Sequence, residues 1–123
     1  MTYEVSATDR WVWQRRAHLV LGQILHLGRP RPVGRGLPAI AWTIGDVGAL
    51  VMGRADSTRI DGVSPLEAFE AWREALRLQE FRDHHDQSLG QRRLTAWTRR
   101  FDGLVQVTVV AEIWDDEEPE GQS

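Results

Sequence analysis

The chain contains no cysteine, no lysine and no asparagine. Without cysteine it can form no disulfide, no thiolate zinc site and no thiol nucleophile. Without lysine the Gly-x-x-x-x-Gly-Lys phosphate loop does not exist, and no Gly-x-Ser-x-Gly elbow presents any of the five serines. No apolar run approaches the roughly 18 residues that span a bilayer. The polar, acidic start from Met1 to Asp9 is unlike a signal peptide, so a cytoplasmic location is expected. All fifteen basic residues are arginine. Lysine and asparagine codons are AT-rich, whereas those of Arg, Ala and Gly are GC-rich. The joint absence therefore reads as a high-GC bacterial gene. Selection for bidentate arginine recognition would not remove asparagine.

What remains is ordinary globular composition: 123 residues, 41% hydrophobic and 27% charged, enough for one packed core. The net charge of −3 is unevenly placed, because Asp115, Asp116, Glu117, Glu118 and Glu120 carry five negatives. Residues 1–114 hold fifteen positive and thirteen negative charges, a near-neutral body with little general pull on nucleic acid. They are expected as a single α+β domain, and 115–123 as a disordered acidic tail.

Two helices are predicted. From about Arg10 to Leu27, Trp13, Ala17, Val20, Ile24 and Leu27 recur at helical spacing, with Leu21 widening the stripe. Thr8 is the expected N-cap, Asp9 suits the positive first turn, Gly28 supplies a left-handed stop and Pro30 prevents continuation. Arg29 to Gly36, rich in proline and glycine, is loop. The second helix opens on Ser64-Pro65-Leu66-Glu67, a cap, a first-turn proline and a capping-box glutamate. Leu66, Phe69, Trp72 and Leu76 form its apolar face, and it is expected to end near Leu78. The polar stretch Glu80 to Gln91 reads as loop.

Residues 37–44 and 49–55 suggest a hairpin around Gly45, Asp46, Val47 and Gly48. A second hairpin turns on Asp102-Gly103, since type I′ turns need two residues that tolerate positive φ. A two-residue turn puts Leu94, Ala96 and Thr98 opposite Ala111, Val109 and Val107 on one face, extended by Val105 and Ile113. The other face pairs Arg93 with Glu112, Thr95 with Val110, Trp97 with Thr108 and Arg99 with Gln106. A one-residue slip would mix apolar and polar sets and lose the facing charge pair. Ala41-Trp42-Thr43…Gly48 recurs as Ala96-Trp97-Thr98…Gly103 at an offset of 55 residues. The expected architecture is therefore a two-layer αββ-αββ pseudo-repeat, a four-stranded antiparallel sheet with both helices on one face.

The strings Leu37-Pro38-Ala39-Ile40-Ala41-Trp42-Thr43, Gly48-Ala49-Leu50-Val51 and Ala68-Phe69-Glu70-Ala71-Trp72, with the Asp102-Gly103 hairpin, resemble a group of small proteins common in Streptomyces and related actinobacteria. The resemblance covers roughly residues 15–118 and implies no activity, because the group has none established.

Function is expected at the uncovered sheet face. Trp42, Ile40, Ile44 and Val51 from the first hairpin and Trp97, Thr95 and Val110 from the second form its apolar patch, rimmed by Arg93, Arg99 and Glu112. Six tryptophans in so short a chain also favour a contact surface. The expectation is a non-enzymatic interaction or regulatory module, self-associating as a homodimer through that face, with no cofactor and no catalytic residues. The runner-up is a single-stranded nucleic-acid module using Arg29, Arg31, Arg35, Arg93 and Arg99, with tryptophans as stacking platforms. The third is a small-ligand or metal protein using Asp83-His84-His85-Asp86, although no later histidine completes a facial triad. Glu67, Glu70 and Glu74 read as a solvated helix face rather than acid–base machinery.

Overall fold

The computed structural model describes residues 6–29, 36–45, 48–55, 62–100 and 102–114. The acidic tail, Arg31, Arg35, Asp46, Val47 and Phe101 lie outside these residues. The elements in order are α1 (Ala7–Gly28), β1 (Ala41–Ile44), β2 (Leu50–Ala55), α2 (Pro65–Leu76), β3 (Glu80–Asp86), β4 (Gln91–Arg100) and β5 (Val105–Trp114). No helix among the described residues is long and apolar enough to cross a membrane.

The α+β class holds, and the sheet differs from the expectation. Among the described residues it has five strands in the order β1-β2-β5-β4-β3, and it is mixed. β1 and β2 form the expected antiparallel hairpin, while β2 and β5 run parallel, joined in sequence through α2, β3 and β4. β4 and β5 pair in the register read from the sequence, with Arg93 opposite Glu112 and Trp97 opposite Thr108. Asp102 and Gly103 both have positive φ, 52° and 86°, as a type I′ turn requires.

The stretch expected as loop, Glu80 to Gln91, contributes β3, an edge strand antiparallel to β4. Phe81 is its single large apolar side chain, so it carries no alternation by which a strand is recognised. The tertiary ladder to β4 decides its state. The extra strand also interrupts the αββ-αββ pattern. The two echoed tryptophans lie on opposite faces of the sheet, so the string repeats without structural equivalence.

Both helices cover one face. Ala17, Val20 and Ile24 of α1 and Phe69, Trp72 and Leu76 of α2 pack with Val51, Ala55, Leu94, Ala96, Val105, Val107, Val109 and Ala111 in one core. α1 begins two residues earlier than expected, because Ser6 and not Thr8 is the cap: its Oγ accepts the Asp9 amide at 3.0 Å. Ser64 caps α2 as expected, accepting from the Glu67 amide at 3.2 Å. Its hydroxyl also donates to the Glu67 carboxylate at 3.1 Å. α2 stops at Arg77, held left-handed at φ 52°. The Arg100 guanidinium donates to the Leu76 carbonyl at 2.9 Å, satisfying an end-of-helix acceptor.

Gly28 is not the left-handed stop, since α1 runs through it and ends on an extended Arg29. Its role is close approach: a Cβ there would lie 2.5 Å from the Trp72 ring. Trp72 in turn donates its indole N–H to the Pro38 carbonyl at 2.6 Å, tying α2 to the segment entering β1. Gly22 faces open space, where a Cβ would meet nothing within 4 Å. The two glycines therefore predict opposite signs in urea unfolding. Gly28→Ala should destabilise by about 1–3 kcal/mol through overpacking, and Gly22→Ala should stabilise by about 0.5–1 kcal/mol through helix propensity.

Candidate functional site

Strand alternation and the parallel β2–β5 register determine which side chains look away from the helices. One row across the sheet runs Met52, Thr108, Trp97, Glu80, and the next runs Arg54, Val110, Thr95, Arg82. Leu50, Gln106 and Arg99 lie beyond one end of these rows, and Glu112, Arg93 and His84 beyond the other. Thr108 and Val110 are each only 5% exposed, yet they lie outside the helix-side core. Gln106 on the same face donates to the Thr108 hydroxyl at 3.0 Å. This face has a dense apolar centre of Trp97, Val110 and Met52.

The expected patch divides between the two faces. Trp97, Thr95, Val110 and Arg99 are on the open face as expected. Trp42, Ile44 and Val51 do share one face, but it is the helix-covered one. Val51 is fully buried, and Trp42 packs edge-on against Trp72 with centroids 5.2 Å apart. Ile40 and Trp42 fill the space beside Gly53, where a Cβ would lie 2.7–2.8 Å from them. The apolar side chains of the first hairpin thus occupy the side of the sheet opposite to the expected one. A usable signal existed: Arg54 is the only charged residue of β2, and its parity sends Met52 and Leu50 outward with it and Val51 inward. Arg82 carried no such signal, because its segment read as loop.

The open face carries the arginines Arg54, Arg82, Arg93 and Arg99 and the carboxylates Glu80, Glu112 and Asp86. Arg93 is paired with Glu112 at 2.9 Å, and the same carboxylate accepts from Gln91 at 3.2 Å. Arg82 lies over the Trp97 ring at 5.9 Å. Arg99 donates to the Gly103 carbonyl at 3.4 Å. Arg54, Arg82 and Arg99 are exposed and make no ion pair among the described residues. Of the other arginines of the nucleic-acid alternative, Arg29 caps the end of α1 through the His26 carbonyl at 2.7 Å, away from this face.

The Asp83–Asp86 string does not converge as a loop site. Strand alternation separates Asp83 and His85 from His84 and Asp86. The Asp83 carboxylate accepts from Arg92 Nε at 3.0 Å, and this charge-assisted hydrogen bond holds its pKa below the usual carboxylate range. Asp86 accepts from the Ser88 hydroxyl at 2.6 Å and from the Ser88 and Leu89 amides in the turn to β4, which lowers its pKa also. No group of three metal-ligating side chains occurs among the described residues.

No protein-family model, curated protein or solved structure matches the chain.

A carboxylate with a lowered folded-state pKa adds stability above its unfolded value, and that stability is lost as pH falls through the folded value. Asp83→Asn should therefore cost stability near neutral pH. The cost should be no more than about 1 kcal/mol for so exposed a pair, and it should vanish in acid. Urea titrations of both proteins across that range measure the convergence.

Proposed function

We propose that the protein is a non-enzymatic binding module whose uncovered sheet face holds a protein partner presenting carboxylates around an apolar anchor. The observation that carries this reading is the arrangement of the open face: a water-excluding centre at Trp97, Val110 and Met52 within reach of Arg54, Arg82 and Arg99. Tryptophan and arginine are the side chains that dominate interface energetics, and a desolvated centre with a charged rim is how such surfaces are organised. The three arginines favour an acidic partner, through charge complementarity that speeds encounter and rejects basic competitors.

Self-association through this face is less favoured than the sequence suggested. The apolar side chains of the first hairpin face the helices, and Arg54 and Arg82 occupy the same row on either side of Val110 and Thr95. A second copy would bring more arginine.

Selection from a random peptide display library tests the reading. Bound peptides should be enriched in Asp and Glu around an apolar residue. Trp97→Ala, or Arg54→Glu with Arg82→Glu, should weaken them at least about tenfold. Arg15→Glu on the outside of α1 should leave them unchanged. Absence of acidic enrichment, or indifference to the face variants, overturns the proposal. Salt-dependent retention of a single-stranded oligonucleotide by this face would replace it with the nucleic-acid reading.

A further inference from the structure

The two edges of the sheet are built differently. β3 is guarded: six of its seven residues, all but Phe81, carry titratable side chains, which discourages another strand from pairing. β1, Ala41-Trp42-Thr43-Ile44, has none, and no charged residue occurs anywhere from 36 to 45. An uncharged outer strand is the kind of edge that proteins otherwise cover.

The main chain of β1 is set out for pairing. The Gly45 amide donates to the Leu50 carbonyl at 2.9 Å, so that position belongs to the hydrogen-bonded pairs of the β1–β2 ladder. Such pairs alternate along an antiparallel ladder, so Thr43–Met52 and Ala41–Arg54 are of the same kind. The intervening Trp42 and Ile44 then direct their amides and carbonyls away from β2, toward the free edge. Among the described residues nothing accepts or donates there.

We propose that β1 pairs antiparallel with β1 of a second copy across a two-fold axis at Thr43, making one continuous ten-stranded sheet. The register is self-complementary about that axis, and with no charge from residue 36 to 45 a second copy meets the edge without like-charge repulsion. Trp42 and Ile44 exchange main-chain hydrogen bonds with Ile44 and Trp42 of the second copy, and their side chains form aromatic–aliphatic pairs on the helix side. Thr43 meets its own counterpart on the open side, a favourable cross-strand pair. The guarded β3 strands become the two outer edges.

Four residues of ladder alone bury too little for a stable dimer, which needs roughly 1,200 Å² or more. α1 packs over β1 and β2 at this end of the sheet, so in the proposed assembly the flanks of the two α1 helices must supply the remaining contact. The assembly places both open faces on the same side, offering an acidic partner two adjacent sites. The pairing itself does not depend on that partner.

The absence of cysteine makes the test specific, because any introduced thiol is unique. Ala41 and Thr43 are both exposed and both point to the open side, so a cysteine at either leaves the core intact. In the proposed register the two Thr43 Cβ atoms are about 5 Å apart, close to disulfide distance. The two Ala41 positions are four residues out of register, about 14 Å apart. Under mild oxidation Thr43→Cys should form a covalent dimer at least about tenfold faster than Ala41→Cys, and the native chain should sediment as a dimer at about 100 μM. Equal rates, no covalent dimer from Thr43→Cys, or a native monomer overturns the proposal; a dimer that Thr43→Cys fails to trap uses another surface.

Discussion

The last strand of the chain is the middle of the sheet, and most of the structure follows from its burial. Val105, Val107, Val109 and Ala111 of β5 are fully buried against the helices, while Thr108 and Val110 are almost fully buried on the opposite side. A strand dry on both faces must have its main chain paired on both edges, since an orphaned amide or carbonyl there costs a lost hydrogen bond. β4 supplies one edge through a two-residue turn. β2 supplies the other from far away in sequence, in parallel, so the core closes only after the final strand is in place. Such non-local pairing carries a loop-closure cost before it is rewarded.

The two sides of the sheet are built differently. The helix side is a conventional core tied by aromatic contacts among Trp42, Trp72, Phe69 and Phe81, with Arg73 over the Phe81 ring at 4.2 Å. The open side uses a few apolar groups to cover β5 and surrounds them with long guanidinium side chains. Arginine suits this position because its weakly hydrated planar head can lie over Trp97 and still meet a carboxylate. With Glu112 neutralising Arg93, the remaining charges are Arg54, Arg82 and Arg99, with Glu80 beside Trp97 and Asp86 at the turn to β4.

Local structure was largely legible from the residues. The Asp102-Gly103 turn and the β4–β5 register were readable because a period-two pattern and a facing Arg93–Glu112 pair leave a single consistent alignment. Ser64-Pro65 marked the start of α2 for reasons of hydrogen bonding and backbone geometry that act within one turn. At the candidate site, the second hairpin's contribution of Trp97, Thr95, Val110 and Arg99 was readable from the same register. The first hairpin's was not: β2 is apolar at nearly every position, so which of its sides met the helices turned on the single charge at Arg54. Arg82 was hidden because β3 has almost no apolar alternation and exists through its ladder to β4.

The sequence by itself determined the class, the helix stripes, the Asp102-Gly103 turn and the β1–β2 and β4–β5 pairings, because each depends on forces between residues close in the chain. Only the tertiary structure decided the strand order, the parallel contact between β2 and β5, the state of β3 and the face to which Trp42 belongs. Those depend on which distant surfaces exclude water together. A strand with apolar residues on both sides satisfies that demand in more than one way until its neighbours are in place.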